Sequence, residues 1–127
     1  AASVKLACRL ASVPVVIDHM GLPDADAGIE QPGFQAVLRL LAGPHVWVKL
    51  AGADRITRTS GRLRDAIPFM RALVAAAPER LVWGSDWPHI EGMPRPLDYV
   101  AEVKELADAD QRRVLRDNTW ALTRPPA

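Results

Sequence analysis

The chain has 127 residues, the length of one small domain, taken here as residues 1–127. It is 49% hydrophobic and 24% charged with a formal net charge of +1, an ordinary globular balance that gives no reason to expect nucleic acid or an anionic membrane as a partner. No apolar run reaches the ~20 residues needed to span a bilayer, and the single Cys8 excludes an internal disulfide and fits a reducing, cytoplasmic compartment.

Taken in chain order, "AASVKLACRLASVPVV" places Val4, Leu6 and Leu10 at roughly helical spacing. Lys5 and Arg9 interrupt any apolar core, so the segment is expected to be an amphipathic helix rather than a targeting peptide. The absence of an initial Met hints at residues removed upstream. "VPVVIDH", 13 to 19, is a β-branched run expected to form a strand. The Gly-, Pro- and Asp-rich "MGLPDADAGIEQPG" after it is a loop. Residues 34 to 43 are expected as a helix, with Pro32 near its start and Gly43 at its stop. "HVWVKLAG", 45 to 52, is a second strand, and "ADRITRTSGRL" a second loop. Residues 64 to 80 carry apolar side chains at helical spacing, with Pro68 in the first turn and Pro78 as terminator. "RLVWGSD" is a third strand and "WPHIEGMPRP" a third loop. "LDYVAEVKELA" and "DADQRRVLRDNTWAL" are two further helices, the second capped by Asp108 or Asp110.

Strands separated by helices imply an α/β fold with a parallel sheet. The strands read as near-continuous apolar runs, as in a sheet covered on both faces. Each strand ends in polar groups and enters a long loop: Asp18 and His19, then Lys49 and Arg55, then Ser85 and Asp86. Parallel α/β folds place their sites at the carboxyl ends of strands, so His19, Arg55 and Asp86 are expected on one rim.

The segments "VVIDHMG", "VWVKLAGADRIT" and "RLVWGSDWPH", in this order, resemble the carboxyl-terminal part of the amidohydrolase-related (β/α)8-barrel hydrolases, nearest the 2-pyrone-4,6-dicarboxylate lactonase branch. The resemblance covers nearly the whole chain. It implies about the last three (β/α) units of a TIM barrel plus a C-terminal helix. Such barrels need ~250 residues, and the His-x-His pair expected on the first strand is absent: the histidines are His19, His45 and His89. "DNTWALTR" departs from the usual family ending, in which Pro follows the Asn.

The resemblance implies a hydrolase of a lactone or related carboxylated ring compound. Asp86 would be the general base, its carboxylate tuned by an apolar surround from Trp83 and Trp87. His19 would bind a divalent metal or polarise the attacked carbonyl. Strand alternation turns Asp18 and His19 opposite ways: if His19 joins Val15 and Ile17 on the inner face, Asp18 points to the helix layer and caps a loop. Arg55, with Arg58 behind it, would hold a substrate carboxylate in a guanidinium fork. His89 is a further substrate contact, Lys49 faces either way, His45 sits at the wrong end of its strand, and Trp47 and Trp120 are packing residues. A hydrolytic zinc site needs about three protein ligands, and His19 with Asp86 supplies two. No metal or other cofactor is therefore expected in this chain, with Zn the alternative for a full-length enzyme. The partner is then a small carboxylated substrate, with neither nucleic acid nor membrane.

The competing reading is a non-catalytic truncated fragment or half-barrel assembly piece; a metal-dependent decarboxylase relative is another. A three-stranded piece leaves sheet edges unpaired, which favours a homo-oligomer, and no lactone turnover is expected from the 127-residue chain alone.

Overall fold

A computed structural model describes residues 13–57, 63–86 and 103–124. Three short strands, β1 (Val15–Ile17), β2 (Val46–Leu50) and β3 (Leu81–Trp83), form a parallel sheet in the order β1-β2-β3. Val16 pairs with Trp47, Val48 with Leu81 and Lys49 with Val82. β2 is central, and its alternation is complete. Val46, Val48 and Leu50 are buried beneath the helices, while Trp47 and Lys49 project from the other face and are only partly covered.

The strands are shorter than the runs that announced them. β1 stops at Ile17 because His19 and Met20 adopt positive φ, 51° and 54°, and turn the chain into a 3-10 turn at His19–Gly21. β3 ends at Trp83, before Gly84. The expected full cover on both faces does not hold either, since Val16 is 40% exposed.

Helix α1 (Pro32–Leu41) starts two residues earlier than its expected 34 to 43, because Pro32 occupies the first turn, where its missing N–H costs nothing. It buries Phe34, Val37 and Leu41, one stripe at helical spacing. The loop before it is pinned by Gln31, whose Nε2 donates to the carbonyls of Asp24 and Gly28, each at 2.7 Å. The second loop is not wholly irregular: Ala53–Ile56 form a short helix, α2, with Ala53 and Ile56 buried.

Helix α3 (Ile67–Ala76) follows a 3-10 turn at Leu63–Ala66 and buries Phe69, Met70 and Leu73. Pro68 lies in its first turn, and Pro78 opens the 3-10 turn Pro78–Arg80 that leads into β3. The single helix expected over 64 to 80 is thus three pieces. Phe34 and Phe69 meet edge to face at 4.9 Å and 84°, joining α1 to α3 over the sheet. Fully burying one such ring is worth roughly 1.5–3 kcal/mol.

The last helix is continuous in direction but not in pitch. α4 (Asp108–Arg112) passes through a π-helical turn, Arg113–Asp117, into α5 (Asn118–Thr123). Asp108 and Asp110 lie in its first turn, not at the cap. Ala107 is the N-cap residue, and no side chain bonds there. Their charge favours the helix N-terminus instead. Val114 and Asn118 face inward, and Asn118 Nδ2 donates to the carbonyls of Pro78 and Leu81 at 2.7 Å each, tying this helix to the entrance of β3. Trp120 is not a packing residue: it is 64% exposed, with the Arg124 guanidinium 5.5 Å over its ring. No helix among the described residues is long and apolar enough to cross a membrane. The helices expected from the first residues and over 97 to 107 lie largely outside the described residues.

Candidate active site

The carboxyl ends of the three parallel strands bring together two carboxylates, Asp18 and Asp86, and three basic side chains. Asp86 stands three residues past β3 with φ 60°, a left-handed conformation that Asp tolerates better than most residues. Such strain persists only where surrounding contacts hold it, and here both carboxylate oxygens are engaged. Lys49 Nζ, from β2, donates to Oδ1 at 3.2 Å. Arg55 Nη2, from α2, donates to Oδ2 at 3.4 Å. His19 Nδ1, from the turn after β1, lies 3.5 Å from Oδ2. That last approach is electrostatic rather than a hydrogen bond, because Nδ1 is buried and makes no aligned bond.

Gly52 holds the histidine in place. It has φ +73°, and a Cβ there would sit 2.7 Å from His19 Nδ1. The His19 side chain therefore packs against a backbone that only glycine leaves bare. Gly84 does the same for Lys49, whose Cδ lies 3.2 Å from where a Cβ would be.

Burial pushes the Asp86 carboxyl up. The hydrogen bond from Lys49 and the charges of His19, Lys49 and Arg55 outweigh it and hold the group below its ordinary value. For Lys49, burial lowers the ammonium's pKa, but the hydrogen bonds and charges of Asp18 and Asp86 raise it further and win. Asp86 is ionised at neutral pH, faced by three basic side chains.

His19, Arg55 and Asp86 thus share one rim. Arg58, His89 and Trp87 lie outside the described residues. Two expectations are corrected. Asp18 does not cap a loop on the helix side. It shares the parity of Val16, so it emerges on the face of Lys49 and its Oδ1 lies 2.9 Å from Nζ. His19 reaches the rim not by alternation with Val15 and Ile17 but through its positive φ after the strand has ended. The apolar surround expected for Asp86 is also not what its described partners provide. Trp83 pairs in register with Leu50 and packs against the core, away from Lys49.

Lys49 was the residue whose direction the sequence left open. The signal was present in its spacing: it stands two residues from the half-buried Trp47, near the carboxyl end of the central strand. His45 lies at the amino end of β2, where its carbonyl accepts from Val15 N at 2.9 Å.

A divalent metal does not fit these side chains. His19 and Asp86 are two donors, both carboxylate oxygens already face cations, and no group of three or more His, Cys, Asp or Glu residues that would hold a metal occurs among the described residues.

A family model described as amidohydrolase matches residues 2–122. A 4-sulfomuconolactone hydrolase of Hydrogenophaga intermedia is 41% identical over 118 residues, which are 87% of this chain and 39% of that protein. A 2-pyrone-4,6-dicarboxylate hydrolase of Comamonas testosteroni is 32% identical, across 87% of this chain and 41% of its own length. A crystal structure from Pseudomonas putida, named for 2-pyrone-4,6-dicarboxylic acid hydrolysis, superposes with a TM-score of 0.83 and 32% identity, covering 94% of this chain and 46% of that one. The chain spans about two fifths of the length of the curated relatives it matches, in their carboxyl-terminal part.

Proposed function

The chain belongs to the amidohydrolase family, and from that premise we propose that it is the base-bearing end of a barrel enzyme that hydrolyses a lactone or related carboxylated ring compound. Its three parallel units would be the last three of eight. One observation carries the reading: an ionised carboxylate at the end of β3, faced within 3.5 Å by His19, Lys49 and Arg55 from two other strand ends. The names of the relatives support it, since both describe hydrolases of ring lactones that bear acidic groups.

In this mechanism a water molecule gives a proton to Asp86 as its oxygen bonds to the lactone carbonyl carbon. Charge builds on the carbonyl oxygen. His19 makes no hydrogen bond through Nδ1, so the tautomer protonated at Nε2 would donate to that oxygen. The ring C–O bond then breaks, and the proton held by Asp86 passes to the leaving oxygen, giving a hydroxy acid. Arg55 would hold a substrate carboxylate in its fork. Arg58 and His89 are assigned to the same substrate contacts by position in the loops.

The test is lactone opening, followed by loss of ring absorbance. The isolated chain is expected to open none, and the chain joined to the five preceding strands of a relative is expected to be active. Asp86→Asn in the joined protein should cost about 10²–10⁴-fold in rate. Unimpaired turnover by that variant would remove Asp86 from the base role. Turnover by the isolated chain would contradict the expectation that its site is incomplete.

A further inference from the structure

Of the three basic side chains around Asp86, one is held differently from the others. Lys49 is fixed: its Nζ bridges Asp18 at 2.9 Å and Asp86 at 3.2 Å, and its stem lies against Gly84. His19 is fixed by its contact with Gly52. Both are largely covered, with side-chain exposures of 22% and 17%. Arg55 is 44% exposed and reaches Asp86 by one nitrogen at 3.4 Å. A guanidinium matched to a carboxylate makes paired bonds of about 2.7–2.9 Å, so this is a loose contact with a better alternative available.

We propose that Arg55 is a specificity-determining exchange residue: a substrate carboxylate draws its guanidinium off Asp86 Oδ2, and this release activates the base only when a carboxylated substrate is present. The proposal rests on the reading of Asp86 as the base and adds what regulates it. In the free protein the carboxylate faces Lys49, Arg55 and His19, with Asp18 behind Lys49, so it is ionised but weakly basic. Binding replaces one long contact by a bidentate pair to the substrate and frees the Arg55 side of Oδ2, with His19 Nδ1 still 3.5 Å from it. That oxygen then has room for the attacking water and one positive neighbour fewer, which strengthens it as a base. A lactone without a carboxylate leaves Arg55 where it is. Discrimination between the two would then appear in kcat and not only in KM.

The experiment is a ¹³C-carboxyl NMR titration of Asp86 in the 127-residue chain, with and without benzene-1,3-dicarboxylate at matched ionic strength. The wild-type Asp86 pKa is expected to rise on saturation with the probe. In Arg55→Gln it is expected to be raised already in the free protein and to move no further. An unchanged or lowered wild-type pKa at saturation overturns the proposal, and so does an equal rise in the variant. Failure of the probe to saturate overturns it too, since Arg55 then has nothing to leave for. The wild-type comparison decides even if the variant does not fold. Loss of the hydrolase reading is separate: full activity of Asp86→Asn would remove the base and leave this titration untouched.

Discussion

Gly52→Ala is the substitution whose cost the structure defines best. Gly52 has φ +73°, and an L-residue there pays about 1–2 kcal/mol for the left-handed conformation. The new methyl would also lie 2.7 Å from His19 Nδ1, 2.9 Å from its Cβ and 3.0 Å from its Cγ. Two of these atoms are next to the backbone of a residue already at φ 51°, so the histidine cannot swing away freely. Overpacking of this kind costs about 1–3 kcal/mol, giving a total of about 2–5 kcal/mol. Gly28→Ala is the matched control. Gly28 has φ +67° with nothing within 4 Å of a built Cβ, so it should cost only the backbone part. Urea unfolding of both variants, with linear extrapolation, reads the difference. A difference below about 0.5 kcal/mol, well under the overpacking cost, would refute the argument that Gly52 is bare because His19 lies on it.

Asp86→Asn should flatten the acid limb of stability. The folded carboxyl sits below its ordinary 3.8, so its contribution is complete above that value and is lost as pH falls through the folded one, read by urea midpoints from pH 6 downward. Lys49→Met should raise the Asp86 pKa in a ¹³C-carboxyl titration, because it removes the hydrogen bond to Oδ1. It should also abolish a stability contribution that is complete below 10.5 and lost as pH rises through the higher folded value. Asn118→Ala leaves the carbonyls of Pro78 and Leu81 without their donor and should cost about 2–4 kcal/mol in the same unfolding assay, with no effect on the Asp86 titration.

Much of this was legible in the sequence, for physical reasons that also mark where legibility stops. β-branched runs and Pro–Gly punctuation give the strand–helix alternation, and alternation with parallel pairing puts His19, Arg55 and Asp86 on one rim. Proline geometry locates the starts of α1 and α3. Dihedral choices after a strand ends are not encoded in periodicity. His19 is non-glycine yet turns to φ 51°, which moves it off the face that alternation assigned and leaves Asp18 beside Lys49. Of the apolar surround expected for Asp86, the Trp83 part fails because neighbours in sequence are not neighbours across a parallel sheet. Trp83 is three residues from Asp86 but faces the helices, whereas Lys49 is 37 residues away and touches it. Arg113 to Asp117 gave no sign of their π-helical pitch.

Asp18 completes the electrostatic argument. Lys49 would by itself be the strongest influence holding Asp86 ionised, and a base pinned too firmly in its charged form takes a proton poorly. Asp18 sits closer to the ammonium than Asp86 does, 2.9 against 3.2 Å, while remaining 62% exposed. It therefore draws off part of the field of Lys49 at little desolvation cost to itself. Lys49 still supplies the largest of the effects that hold Asp86 below its ordinary value, through its hydrogen bond to Oδ1. With Lys49 paired to two carboxylates, Arg55 is the most exposed of the three basic side chains and makes a single contact to Asp86, at 3.4 Å. The exposed arginine, not the doubly paired lysine, is therefore the residue that the proposed exchange would release.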